Sequence, residues 1–239
     1  MKQAILYILL LFTQFVWSQS ALTVELQGIR DVYAKLTSVR YEATYSSYIE
    51  GRKERVDVNK GEVISQGVQA YQKFENIEIL SNPGYSISIN HDSKQIVYSP
   101  KVVLEENKSQ RLSIDSLLAH CTVKNMLKID GQTNQMTLTP DNETNLYDIQ
   151  YNTRTKLISK IVIHFAQKIH YQNEESELDI EGKPRMVVEL SNYRLNKLYP
   201  SEQFSRTKYL TPRANKYELK ASWVGYKLLG DTRIKTQKN

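Results

Sequence analysis

The chain has 239 residues, 40% of them apolar and 24% charged, with a formal net charge of +6. Its basic and acidic residues are interspersed, with no lysine-arginine block, which argues against a nucleic-acid binder. Its one cysteine, Cys121, rules out an intrachain disulfide, so stability must come from the apolar core.

Residues 1–20 read as an export signal. Lys2 supplies the positive start, and Ala4 to Phe12, extended by Phe15, Val16 and Trp17, supplies the apolar run. Cleavage after Ser18 puts Val16 at −3; cleavage after Ser20 puts Ser18 there; both satisfy the small-residue rule. A membrane anchor would need roughly 20 unbroken apolar residues, and Thr13 and Gln14 interrupt this run. No cysteine follows it to carry a lipid, and no later stretch is apolar enough to span a bilayer. The expected product has no transmembrane span in its mature form and resides in the periplasm or is secreted.

The first mature element is an amphipathic helix. Leu22, Leu26, Ile29, Tyr33 and Leu36 recur at spacings of four and three and form one stripe, opposite Glu25, Gln27, Arg30, Asp31 and Lys35. Thr23 is the expected cap. The period then changes to two: Val39, Tyr41, Ala43 and Tyr45 alternate with polar residues, as in a half-buried strand. Glu50-Gly51-Arg52 reads as a turn, and Val56 and Val58 start a return strand that Lys60-Gly61 breaks. Further strands are expected over 62–65, 68–74 and 76–80. After the turn Asn82-Pro83-Gly84, Tyr85, Ile87 and Ile89 alternate with polar residues, His91 to Lys94 turns, and Gln95 to Tyr98 returns, closed by Pro100.

Ser113 to His120 reads as a short helix carrying Ile114, Leu117 and Leu118. Strands are expected at 123–129, 133–139, 146–151, 156–165 and 184–193, with an acidic loop over 173–182. These make roughly ten closely spaced strands without βα alternation, hence an α+β, mainly β fold with an antiparallel sheet. Beyond Leu195 the pattern is irregular; Lys216 to Leu219 and Ser222 to Leu229 fit a helix or short strands. The expected organisation is a signal over 1–20, one domain over 21–195, and a C-terminal extension over 196–239 that packs on it, its last residues disordered.

Catalytic patterns are sparse. Cys121 is adjacent to His120, but neighbouring side chains point apart, so a small buried residue is expected there. His164 and His170 share parity on one strand but lack a third metal ligand, with His91 and His120 in distant segments. Glu174, Glu175, Glu177, Asp179 and Glu181 match no calcium-loop spacing and read as a solvated tip. Neither a phosphate-binding glycine loop nor a G-x-S-x-G or H-E-x-x-H motif occurs. Asn107-Lys108-Ser109 and Asn142-Glu143-Thr144 match the glycosylation sequon, and Asp115-Ser116-Leu117 a short O-glycosylation pattern. The expectation is a protein that is not an enzyme and carries no metal or cofactor.

The order of these elements (export signal, amphipathic helix, run of strands, short middle helix, more strands) resembles the periplasmic lipoprotein-carrier (LolA-like) family, in a divergent, Bacteroidetes-type form. The local likeness lies in residues 89–100, where Asp92, Lys94, Tyr98 and Pro100 match the family's aspartate-glycine-lysine turn and the tyrosine and proline that follow. Ser93 replaces the glycine, and Asn82-Pro83-Gly84 stands where the family's basic-proline signature is often found. The resemblance covers roughly 21–193. It implies a curved antiparallel half-barrel whose concave face is covered by the N-terminal and middle helices and holds acyl chains.

The resulting functional expectation is a non-enzymatic carrier of lipid or acylated lipoprotein. Its candidate lining residues are Tyr41, Tyr45, Ile87, Ile89, Val97, Ile161, Ile163 and Phe165. The alternative is an accessory docking subunit of a secretion or injection apparatus, meeting other envelope proteins through Tyr209, Tyr217, Trp223 and Tyr226.

Overall fold

The computed structural model describes residues 21–100, 118, 120–141, 145–173 and 178–233. The expected export signal, the glycosylation patterns and nearly all of the expected middle helix lie outside these residues; within that helix, Leu118 is helical and fully buried. The described chain is mainly β, with sixteen strands from β1 (Ser38–Ile49) to β16 (Lys227–Gly230). Among the described residues no helix is long and apolar enough to cross a membrane.

The described helix α1 occupies residues 21–34, so Thr23 lies inside it rather than capping its start. Its expected stripe is the buried one: Leu26, Ile29 and Tyr33 are inside, while Val24, Gln27 and Asp31 face out.

The fold divides into two compact units with interleaved segments. Unit 1 comprises the described parts of Met1–Lys35, Tyr45–Asp57 and Leu112–Glu189, and unit 2 those of Leu36–Thr44, Val58–Arg111 and Leu190–Asn239. The strands β1 and β13 (Pro184–Leu195) therefore each contribute to both.

In unit 1 the strand order is β13, β10 (Ile158–His164), β9 (Leu146–Asn152), β8 (Thr133–Pro140) and β7 (Cys121–Lys128), every pair antiparallel. The registers build one apolar face from three cross-strand rows. The first is Lys128, Asn134, Tyr151 and Ile158; the second Met126, Met136, Ile149, Ile161 and Val188; the third Val123, Leu138, Tyr147, Ile163 and Met186. The opposite face is mostly polar, its rows being Leu127, Gln135, Gln150, Lys160 and Glu189, then Asn125, Thr137, Asp148, Val162 and Val187. This is the period-two alternation of a sheet with one buried face. The expected acidic loop is instead largely a hairpin of β11 (Ile169–Asn173) and β12 (Leu178–Gly182), with residues 174–177 outside the described set.

In unit 2 the order is β16, β6 (Gln95–Pro100), β5 (Tyr85–Asn90), β4 (Ile77–Asn82), β3 (Gln69–Phe74), β2 (Asp57–Gln66) and β1. The β5–β6 hairpin forms as expected, with Tyr85 opposite Pro100 and Asn90 opposite Gln95. The expected break at Lys60-Gly61 does not occur: β2 runs through it. Gly61 pairs with Phe74, and an added Cβ would collide with the Phe74 ring and the Lys73 carbonyl, so glycine here makes room for a ring instead of ending a strand. The pair β16–β6 is parallel, a departure from the all-antiparallel expectation. The C-terminal region resolves into single-turn 3-10 helices at Ser201–Phe204, Arg206–Lys208 and Ala221–Trp223 with the short strands β14 (Leu210–Arg213), β15 (Lys216–Leu219) and β16.

Candidate acyl-binding face

Unit 2 has an apolar face of its own. Ile64, Tyr71, Leu80, Ile87 and Tyr98 form one cross-strand row; Glu78, Ile89, Ile96 and Leu228 belong to the next. This face is filled from within the chain: Phe204, Tyr209, Leu210 and Tyr217 pack into the same buried cluster, with Tyr199, Trp223 and Tyr226 against its margin. Specific polar bonds fix this filler. The Tyr85 hydroxyl donates to the Phe204 carbonyl at 2.9 Å and accepts from the Arg206 backbone N–H at 3.0 Å. The Arg206 guanidinium lies 5.0 Å from the Tyr85 ring and 4.5 Å from that of Tyr217.

At the centre of this interface sits a carboxylate, Glu78, only 7% exposed. It accepts from the Tyr71 hydroxyl at 3.0 Å and the Tyr209 hydroxyl at 2.9 Å, and pairs with His91 Nε2 at 3.1 Å. Lys208 Nζ lies 3.5 Å away, and His91 Nδ1 meets the Tyr226 hydroxyl at 2.7 Å. Burial pushes the Glu78 carboxyl up, but the Lys208 charge and the bonds from Tyr209, Tyr71 and His91 outweigh it and hold the group below its ordinary 4.5. Burial and the adjacent Glu78 charge raise both phenols, Tyr71 and Tyr209, above the ordinary tyrosine range. The cluster therefore stays ionised at Glu78 and neutral at the tyrosines, and acts as a polar fastener between the sheet and the C-terminal segment. Sequence reasoning missed it, although one signal was present: Glu78 shares parity with Leu80 on a strand whose apolar face is buried.

Unit 1 is arranged differently. Helix α1 is tied to the first row of its apolar face. The Tyr33 hydroxyl accepts from the Ile158 backbone N–H at 3.1 Å, and the Glu25 carboxylate accepts from the Tyr151 hydroxyl at 3.2 Å and pairs with Lys156 at 2.6 Å. Arg30 donates to the Leu118 carbonyl and, at 3.3 Å, to that of Cys121. In the second row Met136 and Ile149 are sealed. In the third row Leu138 and Tyr147 are buried but Ile163 and Met186 are only half-buried, and Phe165, just beyond β10, is half-buried too. This end of the face is apolar and partly open.

The eight candidate lining residues thus fall into two groups. Tyr45, Ile161, Ile163 and Phe165 belong to unit 1, and Tyr41, Ile87, Ile89 and Val97 to unit 2. Ile87 and Ile89 are fully buried beneath the C-terminal filler. Tyr41 is buried with its ring 5.5 Å from that of Tyr193. Val97 requires correction: it is 41% exposed and lies on the opposite face, because pairing places Ile96 against Ile89 and Tyr98 against Ile87. In unit 1, Ile161 is buried and Tyr45 is half-buried, with a phenol that burial pushes up.

The aromatics considered for docking turn inward: Tyr209 and Tyr217 are buried, and Trp223 donates to the Lys208 carbonyl at 3.2 Å while packing 5.2 Å from the Tyr209 ring. His164 pairs with Asp148 at 3.0 Å on the polar face, and Asp148 also accepts from Thr137 at 2.6 Å. Among the described residues no three His, Cys, Asp or Glu side chains group as metal ligands. A cleft of about 280 Å³ in unit 2 is lined mainly by polar groups, including Gln69, Asn82, Ser201 and Glu202, and borders none of the eight lining candidates.

No family model matches the chain, and no curated protein matches it either. Among solved structures it is similar to a DUF1329 family protein from Desulfovibrio piger, at 12% identity over 80% of this chain and 98% of that one, with a TM-score of 0.41. It is also similar to an uncharacterised conserved protein from Thermus thermophilus, at 10% identity over 74% and 91%, TM-score 0.42. A third likeness is to MucB, at 10% identity and TM-score 0.37, over 78% of this chain and 62% of MucB, a protein also solved in complex with MucA(peri).

Proposed function

We propose that this protein is a non-enzymatic periplasmic carrier that holds the acyl chain of a lipid or an acylated lipoprotein, a divergent relative of the LolA-like carriers exported by a signal removed near Ser18 to Ser20. The acyl chain lies against the unit 1 sheet, which acts as an open half-barrel with α1 over one end of its inner face. The observation that carries this reading is the half-buried apolar end of that face, at Ile163, Met186 and Phe165, beside the buried Met136, Leu138, Tyr147 and Ile149. Each methylene moved from water onto such a surface contributes about 0.8 kcal/mol, so even a partly open row gives an acyl chain useful affinity. Unit 2 is the poorer candidate, since its apolar face is already filled by Phe204, Tyr209 and Leu210. Native mass spectrometry of the protein purified from a cell envelope tests the reading. A co-purified lipid or acylated peptide, released by an added fatty acid, supports it; a chain of bare mass that takes up no fatty acid rejects it.

A further inference from the structure

On the polar face of the unit 1 sheet, the cross-strand pair that follows Val162 and Val187 is His164 and Arg185. His164 is held by Asp148, which also accepts from Thr137, so that carboxylate is engaged away from Arg185. Arg185 meets an aromatic ring instead: its guanidinium carbon lies 4.8 Å from the centre of the Tyr48 ring. The residue is half-buried, and its Nε is buried with no hydrogen-bond partner among the described residues. A second arginine meets the same tyrosine, for Arg55 Nε donates to the Tyr48 hydroxyl at 3.1 Å. The backbone brings it there: the Val56 N–H donates to the Ser47 carbonyl at 2.8 Å, folding the loop back onto the end of β1. Tyr48, Arg55 and Arg185 all belong to unit 1.

The groups this cluster can offer a ligand are donors. The Tyr48 oxygen accepts from Arg55, which leaves its own proton to give to an acceptor. Arginine is a donor only and stays protonated. Among the described residues, neither Arg55 nor Arg185 pairs with a carboxylate. Two guanidinium charges on one phenol select an anion, and the charge count selects its class. A carboxylate brings a single negative charge. A phosphate monoester carries about −1.5 to −2 at neutral pH, with three acceptor oxygens, and so can engage both guanidinium groups and the phenol together.

We infer that Arg55, Tyr48 and Arg185 form a binding site for a phosphate monoester, either a free small molecule or the headgroup of a lipid. Arg185 projects from the sheet face opposite Met186, so the site goes beyond the acyl-binding reading and stands or falls separately from it.

The test is isothermal titration calorimetry of the full chain with inorganic phosphate, glycerol phosphate and acetate. The expected result is saturable binding of both phosphates, with acetate weaker by at least about tenfold. Arg55→Gln and Arg185→Gln should each weaken phosphate binding by at least about tenfold, as loss of a charge-assisted bond requires. Arg154→Gln, which removes an exposed cation from a turn elsewhere in unit 1, should leave it unchanged. Arg55 is exposed, so its variant is expected to keep the wild-type circular dichroism, and Tyr48→Phe keeps the ring beneath Arg185 while removing the hydroxyl, which should also weaken binding. Co-sedimentation with vesicles of phosphatidic acid and phosphatidylcholine identifies the source. Capture that Arg55→Gln abolishes supports a lipid headgroup; phosphate binding without capture supports a free monoester. No phosphate binding, acetate binding as tight as phosphate, or Arg55→Gln and Arg185→Gln behaving like Arg154→Gln would overturn the inference. Fatty-acid uptake measured on the same samples reports on the carrier function independently.

Discussion

Replacing Glu78 with alanine removes the shared acceptor of two buried phenols. Tyr209 is fully buried and Tyr71 nearly so, so neither hydroxyl can turn to water once the carboxylate is gone. A buried donor left unsatisfied costs about 1–3 kcal/mol, which gives about 2–6 kcal/mol for the pair. Relief of the carboxylate's own burial offsets part of this, leaving a net loss of about 2–4 kcal/mol. That is a large share of the roughly 5–15 kcal/mol that holds a domain folded. Tyr209→Phe, by contrast, deletes one donor while Glu78 keeps Tyr71, His91 and Lys208, and should cost about 1 kcal/mol. Urea unfolding followed by tryptophan fluorescence reads both, since Trp223 lies 5.2 Å from the Tyr209 ring and the chain's other tryptophan, Trp17, falls within the expected export signal. A loss below about 1 kcal/mol for Glu78→Ala, no larger than that for Tyr209→Phe, would refute the view that the carboxylate fastens the C-terminal segment to the sheet.

The same group sets an acid limit. Its folded value lies below the ordinary 4.5, so its stabilisation is complete above that pH and is lost as pH falls through the lowered value. Thermal melts should show a midpoint that falls on acidification below about pH 4.5, and a flatter profile in Glu78→Gln. Gly61→Ala should destabilise by about 1–3 kcal/mol through overpacking against Phe74, measured by urea unfolding; a neutral result would mean the ring moves aside freely. In unit 1, Leu138→Ala should cost about 2–5 kcal/mol, as for other large-to-small changes at sealed core positions.

Periodicity made much of this architecture readable. The stripe Leu26, Ile29 and Tyr33 and the alternation Tyr85, Ile87 and Ile89 each need a single face buried, and that is how they are used. What escaped had local physical reasons. The run Ile96-Val97-Tyr98 is apolar at three successive positions, so parity alone cannot say which face Val97 takes; pairing with β5 decides it. Gly61 carries a turn signal but serves ring packing, a reason visible only once Phe74 is opposite it. The segment 173–182 is too acidic to suggest a strand, yet β12 gains its ladder from β11. The filling of the unit 2 face was hardest to foresee. Phe204, Tyr209 and Tyr217 follow neither helical nor strand spacing, because short 3-10 turns and two-stranded ribbons present them one at a time. Of the candidate site, the apolar strands were legible, but which ends of their faces stay open was not, because that depends on what packs over them.

The most direct test of the acyl-carrier account is a titration with a fluorescent fatty acid such as cis-parinaric acid. Wild-type protein and Ile163→Asp, which places a carboxylate at the half-open end of the unit 1 face, are compared, with Ile89→Val in the filled unit 2 core as control. The account predicts saturable uptake by the wild type and by Ile89→Val, and a loss of at least about tenfold, or 1.4 kcal/mol, in Ile163→Asp. No uptake by the wild type, or equal affinity in Ile163→Asp, would contradict it.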